Sequence, residues 1–434
     1  VNPRTRILAA APWLIMAGLV AAGGFATLPE SPRGADAPET EFSATRAMEH
    51  VQEIARGPHP MGSPEIERVR HYIVAEVEAL GLQVDLQPVP ARDFYGDGGP
   101  IDAVNVVAWI PGAANTRAVA IVGHYDTFPT TPGANDDTTA IAAMLETARA
   151  LQAGPPLSND IVFLFTDGEE PSDRFGATGF AAVPGLLDSL GLVVNLEALG
   201  ASGASTLVEV NGPQSWLVAG YASAAPAPAA YSFLTDLARL IGDVGTDFDV
   251  FSSAGMPGMQ FAYLRGSPIY HTMADHVGRV GHGSLQHHGD NTLAIARHFG
   301  NVDLDAVPDV DTSVFFTVRP FLIQYPAGWA TVGAAVAAVM FLLSLVWPSR
   351  LAELGLRKVT KATAALALGA LAGAGIGTAV WMVLVTVRSS PAVIESYVYL
   401  AVIASVAAVA ARRVTKLVGV GDAGPSRHGI VGLW

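Results

Sequence analysis

The sequence predicts an α/β domain, with a mixed and mostly parallel sheet sandwiched by helices, carried on about four transmembrane helices. Three observations predict it. Between Glu41 and Asp305 short apolar runs alternate with helical stretches, the pattern of a sheet packed under helices. Unbroken apolar runs flank that region on both sides, each long enough to cross a hydrocarbon core of ~30 Å at ~1.5 Å per residue. Half of the 434 residues are hydrophobic and only 15% are charged, which is too apolar for an ordinary soluble chain.

The elements follow in order. Ile7–Leu28 is apolar throughout and follows Arg4 and Arg6; it reads as an N-terminal anchor over residues 1–28. A cleaved signal peptide is the competing reading, although its apolar region would be shorter. A polar, proline-rich linker covers 29–40, and the α/β domain covers 41–305. Within that domain Ser63–Leu80 has helical apolar spacing (Ile66, Val69, Ile73, Val77, Leu80) and stops at Gly81. Val104–Ile110, Ala118–Val122, Ile161–Phe165 and Leu192–Leu196 read as buried strands, with a helix over Thr138–Leu151. In such sheets the loops at the carboxyl ends of the strands carry the chemistry.

A second linker, 306–325, leads to three more spans within 326–411: Pro326–Trp347, Ala362–Val387 and Val393–Ala411. Residues 412–434 form a tail. Arg350, Arg357, Lys358 and Lys361 lie between the second and third spans, and Arg412, Arg413 and Lys416 follow the fourth. The positive-inside rule then puts the N-terminus, the 350–361 loop and the tail in the cytoplasm, and the α/β domain on the other side. Four crossings satisfy every one of these assignments. Gly369, Gly373 and Gly377 make two overlapping GxxxG steps, a surface for another helix of this chain or of a homo-oligomer. Glycines scattered in an alanine-rich helix would read the same way.

Composition also excludes. A net charge of -14 leaves no surplus of cations for nucleic acid. The absence of cysteine removes disulfides, thiolate metal sites and a cysteine nucleophile. There is no GxSxG elbow, no P-loop, no GxGxxG after a strand and no HExxH helix.

The chemistry-bearing residues cluster in four places. VGHYDTFPTTPGANDD, Val122–Asp137, carries His124, Asp126, Asp136 and Asp137. FLFTDGEE supplies Glu169 and Glu170 after one strand, and VVNLEALG supplies Glu197 after another. SPIYHTMADH holds Tyr270 and His271 in a loop. Each has a bland reading alone. His124 could be a packed histidine, Asp136 and Asp137 could cap the helix starting at Thr138, the Glu pair could be a solvated turn, and Tyr270 could simply pack. Together they place histidines and carboxylates at successive strand ends, where like charges repel unless a cation sits between them.

These motifs also carry a resemblance. HPMGSPE, GHYDT, GANDD, FLFTDGEE, NLEALGASG, GTDFDVF and YHTMAD occur in family order across Glu41–Asn301. The chain thereby resembles the M28 family of dinuclear zinc aminopeptidases. It is most similar to the membrane-anchored branch with the endoplasmic reticulum metallopeptidases and vacuolar membrane proteases. The resemblance implies a zinc-aminopeptidase type of sheet and two Zn²⁺ per chain. It implies that His124 binds one metal, Asp136 bridges both, Glu170 is a ligand and His271 serves the second metal. Glu197 is implied as a ligand where soluble relatives have Asp. Glu169 is implied as general base, with Asp126 orienting His124. Histidine and carboxylate ligands suit zinc, and three carboxylates largely offset two dications. Tyr270 fits as a donor to the tetrahedral oxyanion, and Asp247 as a support for the site or the substrate amine.

The expectation is an integral membrane hydrolase that removes N-terminal residues from peptides outside the cytoplasm. Its bilayer would be a bacterial plasma membrane, or an organelle membrane with a lumenal domain. Two rivals stay open: a receptor or scaffold of the same superfamily that has lost metal ligands, and a glutaminyl cyclase-like enzyme with one zinc. Filled ligand positions weigh against the first, and the membrane-branch motifs against the second.

Overall fold

The computed structural model describes residues 28–171, 173–241 and 245–346, with backbone only at 241 and 341–346. The middle of the fold follows from three apolar strands. β3 (Ala118–His124), β4 (Ile161–Thr166) and β5 (Leu190–Ala198) are buried at every position, as strands covered on both faces must be. With β1 (Gln83–Arg92), β2 (Pro100–Ile110), β6 (Thr206–Asn211) and β7 (Gly258–Tyr263) they make a seven-stranded sheet in the order β1-β2-β4-β3-β5-β7-β6. The central four, β4, β3, β5 and β7, are parallel; β1, β2 and β6 join antiparallel.

The register matters for the site. His124 at the end of β3 pairs with Thr166 at the end of β4. Glu197 pairs with Ala262, one residue before the end of β7. The carboxyl ends of the parallel strands therefore finish at one edge, and the loops leaving them share that edge.

Helices cover both faces. One face of the sheet packs against α1 (Ala44–Ile54), α2 (Pro64–Ala79), α3 (Thr138–Gln152), α5 (Gln214–Ala224) and α8 (His282–Phe299). The other packs against α4 (Phe175–Ala181) and α7 (Asp247–Ser253). The period-2 alternation of a strand divides β3 between them: Val119 and Ile121 face the first layer, Ala118, Ala120 and Val122 the second. α6 (Ser232–Ile241) lies beside the edge strand β6. The expected helix at Ser63–Leu80 is α2; Ser63 is its N-cap, and its hydroxyl accepts from the Ile66 amide.

Two stretches expected as linkers carry structure. In 29–40, the Arg33 amide donates to Gln286 at 2.8 Å and its guanidinium to Asp290 at 2.6 Å, which holds this stretch on α8. In 306–325, β8 (Ser313–Val318) pairs antiparallel with β9 (Phe321–Pro326) in a separate two-stranded ribbon. Its alternating Ser, Thr and apolar residues form strands rather than a coil.

α9 (Ala327–Val346) follows β9 directly and falls on the expected span Pro326–Trp347, with side chains described as far as Met340. Among the described residues no helix is long and apolar enough to cross a membrane. The other expected spans, Ile7–Leu28 up to residue 27, Ala362–Val387 and Val393–Ala411, lie outside the described residues, as does the tail 412–434.

Candidate metal centre

Every candidate side chain from the sequence stands at the strand-end edge. His124 closes β3, Asp136 sits one residue before the N-cap of α3, and Glu169 and Glu170 occupy the turn after β4. Glu197 is the penultimate residue of β5, and Tyr270 and His271 lie on the loop between β7 and α8. The turns are built for close approach. Gly133 has φ +62, and a Cβ there would stand 2.3 Å from Thr127 Cγ2. Gly168 has φ +78, where only glycine sits without cost.

The donor atoms form two groups that share one residue. His124, Asp136 and Glu197 offer ligand atoms within 4.8 Å of one another, and so do Asp136, Glu170 and His271. His124 Nε2 is 3.4 Å from Asp136 Oδ1, 3.9 Å from Glu169 Oε2 and 4.0 Å from Glu197 Oε2. His271 Nε2 is 3.1 Å from Asp136 Oδ2 and 3.1 Å from Glu170 Oε2. Asp136 Oδ2, Glu170 Oε1 and His271 Nε2 are nevertheless buried without a hydrogen-bond partner. Orphaned polar atoms at such a density cost stability unless something else satisfies them. Imidazole nitrogen and carboxylate oxygen are the donor set of a divalent zinc-type ion, so these residues fit a pair of metal ions around Asp136.

The electrostatics carry the same mark. Burial, with Asp136 and Asp247 adding to it, pushes Glu197 up to about 8. Burial and Asp136 push Glu170 up to about 7. Burial, reinforced by Glu197 and Glu170, holds Glu169 well above the carboxylate range. Burial also works against charge on Asp136, yet His124 and His271 keep its carboxyl low. His271 loses from burial and gains more from Asp136 and Glu170, rising to about 9. Burial and mutual repulsion thus raise these carboxyls, the effect that a nearby cation offsets.

Surrounding groups fix these side chains. Asp126 accepts from the backbone amides of Glu169 and Glu170 at 3.1 and 3.2 Å, and its Oδ1 is 3.5 Å from His124 Nδ1. The main-chain carbonyl of Asp126 lies closer to that nitrogen, at 3.0 Å, so this residue orients the imidazole through its backbone while its carboxylate holds the turn after β4. His271 adopts φ 56, left-handed for a non-glycine residue, and its ring lies between Tyr270, stacked at 3.7 Å, and Phe128 at 4.2 Å. Asp137 occupies the N-cap position of α3, but its carboxyl makes no cap bond; both its oxygens are buried and unpartnered. Capping therefore does not account for that residue. The Asp136–Asp137 peptide bond is cis. Asp247 accepts from Thr166 Oγ1 at 2.5 Å, at the foot of the cluster.

Two neighbours escaped the sequence reading. Asp275 accepts from the Asn135 and Asp136 amides at 3.0 and 3.1 Å and from Asn135 Nδ2 at 2.6 Å, so it fixes the backbone that presents Asp136. It stands in YHTMAD four residues after His271, and that spacing was its only signal. Tyr95, in the turn between β1 and β2, packs on Phe128 at 5.9 Å and buries a hydroxyl without a partner. Its signal was an aromatic pair, Phe94–Tyr95, inside a glycine-rich turn. A surface hollow of about 490 Å³ beside Arg33, Asp290 and Arg297 shares no residue with the cluster.

The chain is also similar to known proteins. The model of Peptidase family M28 matches residues 105–296. Endoplasmic reticulum metallopeptidase 1 of Homo sapiens is 30% identical over 68% of this chain and 35% of its own length. Putative endoplasmic reticulum metallopeptidase 1 of Schizosaccharomyces pombe is 33% identical over 66% of this chain and 38% of its own. The chain thus spans little more than a third of these relatives. Among solved structures, an aminopeptidase from Aneurinibacillus sp. strain AM-1 superposes with a TM-score of 0.47 at 16% identity, over 60% of this chain and 95% of its own.

Proposed function

Because the chain carries a domain of peptidase family M28 over residues 105–296, we propose that it is a membrane-anchored zinc metallopeptidase that removes N-terminal residues from peptides outside the cytoplasm. One observation carries this reading: two donor groups meet at Asp136, with the carboxylate of Glu169 beside them and in neither group. Two zinc ions, held by His124, Asp136 and Glu197 and by Asp136, Glu170 and His271, would polarise the scissile carbonyl and lower the pKa of the attacking water.

The remaining work falls to the chain's own side chains. Glu169 takes a proton from the water as its oxygen bonds to the carbonyl carbon, and returns it to the amine nitrogen as the C–N bond breaks. Glu169 stands 3.9 Å from His124 Nε2 and belongs to neither donor group, which leaves its carboxylate free for both transfers. Asp126 holds the His124 ring and the Glu169 backbone in one frame, so base and ligand keep their spacing. Tyr270, stacked on His271, points this reading to a donor for the developing oxyanion. Anchoring rests on the apolar runs at 7–28, 326–347, 362–387 and 393–411.

The test is Glu169→Gln in the full chain. It keeps its zinc by metal analysis and loses about 10²–10⁴-fold in turnover of aminoacyl fluorogenic substrates. Undiminished turnover removes Glu169 from the role of base.

A further inference from the structure

The β8–β9 ribbon and α6 turn apolar side chains outward while Phe315 on the inner side still joins the core. Along the ribbon, the side chains that meet the body are partly polar. Thr317 Oγ1 donates to Pro228 O at 3.0 Å and accepts from the Ala230 amide at 2.9 Å. Gln324 Nε2 donates to Ser313 Oγ at 3.0 Å and to Ser215 O at 3.2 Å. The alternate positions pair across the ribbon as Val314 with Tyr325, Phe316 with Ile323 and Val318 with Phe321. That outward face contains no charged group, and Phe321 is 70% exposed.

α6 repeats the pattern. Thr235 is buried and donates to Val208 O, and the Arg239 guanidinium donates to Val210 O, both on β6. Phe233, Leu237 and Leu240, spaced i, i+4 and i+7 on one stripe, are 62%, 47% and 82% exposed. Asp236 flanks this stripe. Tyr231 joins the two elements: it bridges to Phe316 and stands 6.1 Å from the Phe233 ring. Single exposed apolar residues need no explanation, but a run of exposed apolar side chains across two elements, broken only by Asp236, does.

The chain itself says what covers this face. Arg319, in the turn of the ribbon, donates to Leu28 O at 2.6 Å and pairs with Glu30. Leu28 is the last residue of the apolar run 7–28, and β9 ends one residue before the apolar helix α9. The end of one apolar run, Leu28, and the residue that precedes the next, Pro326, therefore both lie at the ribbon. We propose that the outward face of the β8–β9 ribbon and the Phe233–Leu237–Leu240 stripe of α6 rest in the interfacial layer of a lipid bilayer, so that the catalytic body is docked on the membrane as well as tethered to it. This rests on the membrane-anchoring reading. Such faces bury ~5–10 Å deep, at the boundary of headgroups and acyl chains.

The chain has no cysteine, so a single introduced cysteine carrying an environment-sensitive fluorophore reports one position. Full-length protein is reconstituted in phosphatidylcholine nanodiscs with and without bromine on the acyl chains. Probes at Phe321→Cys and Leu237→Cys lose fluorescence in the brominated discs, and a probe at Leu86→Cys on β1, at the opposite edge of the sheet, does not. Equal responses at Leu86 and at the two face positions overturn the proposal. A probe at Met16→Cys separates the two readings. Quenching at Met16 without quenching at Phe321 and Leu237 refutes docking and leaves the tether standing; no quenching at Met16 refutes the tether itself. Spontaneous pairing of Phe321→Cys between copies, with no quenching, assigns the face to a second copy and also overturns the proposal.

Discussion

His271 shows how much a single residue is asked to do. Its left-handed backbone and its place between Tyr270 and Phe128 leave the ring one direction to face. His271→Ala should lower the bound zinc per chain, and an unchanged stoichiometry by metal analysis would refute its part as ligand. A second histidine makes a cleaner statement about stability. His288 is fully buried, bonded to Ser205 Oγ at 2.8 Å, and burial lowers it to about 3. In the folded chain it stays neutral, while in the unfolded chain it takes a proton below ~6.5. Wild-type stability therefore falls as pH drops from 6.5 towards 3, by about 1.4 kcal/mol per unit. His288→Asn lacks this term. The difference in urea stability between the two proteins should shrink by about 2 kcal/mol between pH 6.5 and 4.5; a gap that stays constant would mean that the imidazole is not held neutral.

Elements differ in how openly the sequence declares them. β3, β4 and β5 are legible because strands buried on both faces read as unbroken apolar runs. β1 is not, since an edge strand may be polar and even hold Pro88 and Pro90 where no ladder partner is needed. β8 and β9 read as a linker because their inward positions mix Ser313, Thr317 and Gln324 with Phe315 and Leu322 while the outward ones are apolar, which erases the period-2 alternation. The candidate metal cluster is legible for a related reason: the proposed ligands at strand ends stand beside strands that announce themselves. Asp275 is not, because it acts on the backbone of a loop 140 residues earlier, and no local pattern records that. α2 offers the check at this scale. Ser63 caps it, and Ser63→Ala should cost about 1 kcal/mol in urea denaturation; no loss would mean that the cap bond is not formed in solution.

For the whole molecule, buried carboxylates clustered without enough cationic partners predict that metal and fold stabilise one another. A ligand that binds only the folded state adds RT ln(1 + [L]/Kd), about 2.7 kcal/mol at a hundredfold excess over Kd. Chelation should therefore lower the thermal midpoint along with the activity, and added zinc should restore both. A midpoint indifferent to chelator would detach the cluster from metal.

The order of the sheet has one more implication. Its central strands are parallel and gathered from segments far apart in the chain, so they form slowly and together. The groups proposed to bind zinc hang from the ends of those strands and from loops that reach them last. If the proposed function holds, a partly synthesised or misassembled copy is thus a harmless one: it cannot cut its neighbours before it has finished becoming itself.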